Sequence, residues 1–119
     1  MRDEPGADKV AALLAKAEER DQPLHMTEIN YTEVQYVIRR KDGEAAWRVV
    51  AGELAVLPIE FHPVDRRLAD QAADFKTRHK LSLADAFAAA LAKLRNAELV
   101  TGDREFKALE GEIKISWLN

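Results

Sequence analysis

Three acidic residues stand where helices are expected to begin: Glu33, Asp85 and Asp103. Glu33 stands one turn into the helix expected after the strand-like Leu24–Thr27. Asp85 lies in the first turn of an alanine-rich helix, and Asp103 stands two residues past a strand-like run ending at Thr101. In open parallel α/β sheets, ligands bind beyond the carboxyl ends of the strands, where the following helices start. Topology would therefore bring the three carboxylates to one rim, although they are far apart in sequence. Carboxylates gathered in this way repel one another unless a cation sits between them. All-oxygen donors suit hard ions, Mg²⁺ or Mn²⁺ ahead of Ca²⁺, and such ions commonly drive phosphodiester hydrolysis.

Each acid also fits a plain helix start. Ser82-x-x-Asp85 and Asn30-x-x-Glu33 have capping-box spacing, and Asp103 could cap the short helix that opens at Arg104. Only their joint placement favours a site. Other chemistries find no support. His25, His62 and His79 have no spacing that suggests a metal site or a nucleophile's base, and packed or surface roles are expected for them. With no cysteine, thiolate metal sites and disulfides are excluded. No Ser/His/Asp pattern supports covalent catalysis, and no glycine-rich phosphate loop is present.

The 119 residues suit one domain, and 47% apolar with 33% charged residues is an ordinary globular balance. No apolar run reaches the length of a membrane span or forms a leader near Met1, so no membrane is involved and a cytoplasmic location is the expectation. A formal net charge of −3 means that nucleic acid would be held by a local basic patch or through a metal ion.

The positioning elements follow from periodicity. Val10, Leu13, Leu14 and Ala17 predict an amphipathic helix over about 6–20, after a Pro5-Gly6 turn. Leu24–Thr27 predicts a strand, and Asn30 to about Lys41 a helix with Val34, Val37 and Ile38 inward. Asp42-Gly43 is a turn. Trp47, Val50 and Leu54 mark a third helix, and Ile59–His62 a strand. Val64, Leu68, Ala72 and Phe75 form a fourth helical stripe. Ser82 to about Arg95 is the alanine-rich fifth helix, Glu98–Thr101 a strand and Arg104–Leu109 a short helix. Ile113, Ile115 and Trp117 alternate as a closing strand, and Trp47 and Trp117 belong to apolar stripes. Strands alternating with helices mean an α/β architecture with a largely parallel sheet.

The stretch Leu81-Ser82-Leu83-Ala84-Asp85-Ala86-Phe87-Ala88-Ala89-Ala90-Leu91-Ala92, followed by Glu98-Leu99-Val100-Thr101-Gly102-Asp103-Arg104-Glu105-Phe106, closely resembles the end of PIN-domain proteins. The nearest group is the VapC-type toxins of bacterial toxin–antitoxin pairs. Asn30-Tyr31-Thr32-Glu33-Val34-Gln35-Tyr36 looks like their second acidic motif, and Arg2-Asp3-Glu4-Pro5-Gly6 like the turn that ends their first helix. The resemblance implies one three-layer α/β/α domain over residues 1–119, with a small and mainly parallel sheet. It also implies a metal-dependent ribonuclease, with carboxylates from four motifs around Mg²⁺ or Mn²⁺. Glu33, Asp85 and Asp103 match three of those places, and Thr101 matches a polar residue that supports the last acid. Arg104 and Lys107 stand nearby to hold RNA phosphates. The implied partners are an RNA substrate, a small antitoxin protein and a second copy of the chain. The family's first acid ends an opening strand, whereas Met1 matches a position inside the first helix. The expectation is therefore an N-terminally truncated domain that lacks that strand and one ligand. A second reading is a catalytically inactive relative that serves as a protein-interaction module or dimer.

Overall fold

The computed structural model describes residues 24–117, so the helix expected over 6–20 lies outside the described residues. Among the described residues, four strands and four α-helices follow in the order β1 (Leu24–Thr27), α1 (Glu28–Asp42), α2 (Glu44–Val56), β2 (Ile59–His62), α3 (Arg66–Arg78), α4 (Leu83–Arg95) and β3 (Glu98–Thr101). A 3₁₀ helix (Arg104–Leu109) and β4 (Lys114–Trp117) complete the order. This is the α/β class that the alternating pattern predicts. Among the described residues the strands pair as β1 with β2 and β3 with β4, in keeping with the small sheet of a PIN-like α/β/α fold. Periodicity marks a strand but does not choose its neighbour.

The chain clusters into two compact units, which divide inside the first two strands: Leu24 and residues 31–60 fall in one, and His25–Asn30 with residues 61–117 in the other. In the first unit Ile38 of α1 and Trp47, Val50 and Leu54 of α2 form the core, with Val34 and Tyr31 partly buried against them. Tyr31 meets Trp47 edge-on, with ring centroids 5.7 Å apart. The two helices join at Gly43, whose φ of 95° and ψ of 170° lie in a region open in practice to glycine alone.

The second unit holds the larger core. Leu68, Ala72 and Phe75 repeat at i, i+4 and i+7, giving α3 one buried stripe. The helix begins where the Asp65 carboxylate accepts from the Leu68 amide at 2.8 Å. Val64, expected in the stripe, therefore precedes the helix and is 41% exposed. Facing residues on α4 are small: Ala86, Ala89 and Ala90 are fully buried, which allows close approach. Ser82 caps α4 at its start. At its end Asn96 adopts the left-handed conformation (φ 52°), and the Ala97 amide bonds back to the Ala92 carbonyl at 2.9 Å. That is a Schellman-type close, in which asparagine is the common alternative to glycine.

β3 and β4 run parallel, with Leu99 opposite Ile115 and Thr101 opposite Trp117. A parallel pair needs a crossover, and the 3₁₀ helix lies within it, burying Phe106 and Leu109 in the same core. The closing strand is less strictly alternating than its sequence suggests. Ile115 and Trp117 are half-buried, while Ser116 between them is buried.

Candidate metal centre

Asp85 and Asp103 reach their places by different routes. Asp85 is the third residue of α4, half-buried, and its amide donates to Ser82 Oγ at 3.1 Å. Asp103 follows β3 and caps the 3₁₀ helix, its Oδ1 accepting from the Glu105 amide at 2.9 Å. The Asp103 amide in turn donates to Thr101 Oγ1 at 3.0 Å, so the hydroxyl at the end of β3 fixes the turn that carries the acid. The two aspartates converge. Together with Glu105 they offer carboxylate oxygens that all lie within 4.8 Å of one another.

The donor set fits a hard divalent cation. Three carboxylates converge, one half-buried and two exposed, with oxygen as the donor in every case. Ser82 and Asp103 also perform the capping that their spacing predicts. The capping reading and the site reading therefore describe the same residues, since a side chain that caps with one oxygen keeps lone pairs for another partner.

Glu33 lies in the first unit, half-buried on α1. Its helix starts two residues earlier than expected. The cap is Thr27, whose Oγ1 accepts from the Asn30 amide at 2.9 Å, so Asn30 is not the N-cap. Instead, the Asn30 side chain accepts from the Thr27 hydroxyl at 2.6 Å and donates to the Ala84 carbonyl at 2.9 Å. Arg104 places its guanidinium over the Trp117 ring, 5.6 Å from the centroid, and Lys107 is exposed on the 3₁₀ helix.

Two features escaped the sequence reading. Glu105 looks like an ordinary first-turn acid, and only the fold shows it facing Asp85. His25 and His62, 37 positions apart, come together with Nδ1 of the first 3.0 Å from Nε2 of the second. Arg95 Nη2 lies 3.0 Å from His62 Nδ1. Guanidinium can only donate, so His62 Nδ1 accepts, and its Nε2 proton is directed at His25. No spacing rule could have found this chain of bonds.

The family model for the PIN domain matches residues 1–112. No curated protein matches the chain.

Proposed function

Because the chain belongs to the PIN-domain family, a family of nucleases that generally depend on divalent metal and act on RNA, we propose that it is a VapC-type ribonuclease. In this reading residues 1–119 form a single PIN-like domain, and Glu33, Asp85 and Asp103 hold Mg²⁺ or Mn²⁺. The observation that carries the proposal is the convergence of Asp85 and Asp103 from two separate elements.

A divalent cation held by these carboxylates would neutralise charge at a phosphodiester and lower the pKa of a bound water, so that its deprotonated form, hydroxide, is available as the nucleophile near neutral pH. The chain's own residues do the rest. Asp85 is held by the capped start of α4, and Asp103 by Thr101 and the 3₁₀ turn, so the carboxylates are positioned before any ligand arrives. Arg104 and Lys107 would meet backbone phosphates, which a protein of net charge −3 must hold locally. Stacking on Trp117 restrains the Arg104 side chain and lowers the entropy lost on binding.

The same proposal includes a small antitoxin partner, a homodimer and a cytoplasmic location. Val49 and Val56, seven positions apart on one face of α2, are 64% and 82% exposed and offer an apolar surface for such contacts. No helix among the described residues is long and apolar enough to cross a membrane.

The test is Mn²⁺-dependent cleavage of RNA by the wild-type chain and by Asp85→Asn, which keeps the size but not the charge. Cleavage that requires the metal and disappears in the variant is expected. Equal cleavage by both would overturn the assignment. If the wild-type chain shows no cleavage and no Mn²⁺ binding, the interaction-module reading takes its place.

A further inference from the structure

We infer that Arg104, held over the ring of Trp117, forms a nucleobase-stacking subsite beside the metal centre. The inference rests on the nuclease reading above and deepens it, naming where a base of the substrate RNA is held.

The register of β3 and β4 sets the place. Trp117 stands opposite Thr101, whose Oγ1 accepts from the Asp103 amide at 3.0 Å. Neighbouring strands lie about 4.8 Å apart, so the indole sits next to the strand end that carries Asp103. The ring is held on two sides. It packs half-buried against the larger core, and its Nε1 donates to Glu110 Oε2 at 3.0 Å. Arg104, exposed on the turn between Asp103 and Glu105, places its guanidinium over this ring, 5.6 Å from the centroid.

Charge alone would send Arg104 elsewhere. The exposed acids Asp103 and Glu105 flank it in sequence, yet among the described residues its guanidinium makes no ion pair. Its N–H donors stay available, while an aromatic ring holds the side chain in place. Unstacked RNA bases settle on aromatic rings and on the planes of arginine guanidinium groups. A base on the outer side of Arg104 continues the order indole, guanidinium, base, and the guanidinium edge keeps donors for a phosphate. Lysine in the place of Arg104 would keep the charge and lose the plane, which separates stacking from phosphate attraction.

The experiment measures binding of two fluorescent probes to the full chain in EDTA, where no metal-driven cleavage intervenes. One is a uridine hexanucleotide, and the other an abasic ribose-phosphate hexamer of the same charge. The variants are Arg104→Lys, Trp117→Leu and Trp117→Phe. The wild type is expected to prefer the uridine probe by about fivefold or more, as one base–aromatic stack implies. Arg104→Lys and Trp117→Leu should remove that preference and leave binding of the abasic probe at the wild-type level, whereas Trp117→Phe should retain it. Equal wild-type affinity for the two probes, or an undiminished preference in Arg104→Lys, would overturn the subsite. Metal-dependent cleavage lost in Asp85→Asn would then leave the nuclease reading standing. No binding of either probe, with no cleavage, would overturn both. Arg104→Lys alters an exposed side chain, so it decides alone should Trp117→Leu fail to fold.

Discussion

The side-chain amide of Asn30 donates to the Ala84 carbonyl at 2.9 Å, across 54 positions of sequence. Ala84 immediately precedes Asp85, so a residue at the start of α1 steadies the turn of α4 that carries a candidate ligand. Thr27 completes the link by capping α1 and donating to the same asparagine.

Asn30→Ala removes both side-chain bonds and leaves the buried Thr27 hydroxyl without its acceptor. A loss of about 1–2 kcal/mol is expected from hydrogen bonds of this kind. Mn²⁺ affinity should fall as well, because Asp85 loses its brace. Chemical denaturation together with metal titration checks both, and an unchanged affinity would show that the brace serves stability alone.

The Arg78 guanidinium forks between Asp74 and Glu112, at 2.9 and 2.7 Å. Its hydrogen bond, and then that of His79, push the Glu112 carboxyl from 4.5 down to about 2. A carboxyl with a lowered folded-state pKa gives stability that is complete above its unfolded value and is lost as the pH falls through the folded one. The contribution of Glu112 should therefore disappear between about pH 4.5 and pH 2. Melting curves of wild type and Glu112→Gln should differ at pH 6 and converge near pH 2. A constant difference across that range would refute the assignment.

Gly43 has open space around the position where a Cβ would stand, so Gly43→Ala meets no clash. Its backbone conformation alone should cost about 1–3 kcal/mol. A neutral substitution, read by denaturant midpoint, would mean that the connection between α1 and α2 relaxes freely.

Phe75 is fully buried, and cations from two helices lie over its ring, Arg78 at 5.4 Å and Lys93 at 5.7 Å from the centroid. Phe75→Ala should destabilise by about 3–5 kcal/mol. Phe75→Leu keeps most of the apolar volume but loses the ring face, so it should fall well short of that loss yet still register. Urea unfolding of the two variants separates packing from cation–π attraction.

Local pattern made the elements legible. The strands Leu24–Thr27, Ile59–His62 and Glu98–Thr101 have the bounds expected from the sequence, and Ser82 and Asp103 cap as their spacing suggests. Boundaries moved where one hydrogen bond chose between neighbours. Thr27 rather than Asn30 starts α1, and Asp65 starts α3 after Val64. Strand pairing, the His25–His62 contact and the approach of Glu105 to Asp85 depend on residues far apart in sequence. Such contacts arise from how helices pack, and periodicity carries no record of them. Asp85 and Asp103 were visible because helix starts are legible. Their convergence was only an expectation from topology.

The acids of the candidate centre stand on supports of unequal firmness. Asp85 projects from α4, whose alanine face is sealed in the larger core, while Asp103 and Glu105 ride on an exposed turn of 3₁₀ helix. Amide exchange should therefore be slow along the buried middle of α4 and fast at the turn. One half of the cradle is anchored in the hydrophobic interior, and the other half rests on the hydrogen bonds of the turn itself. Affinity could then be tuned by stiffening or loosening that single turn, with the hydrophobic interior left untouched.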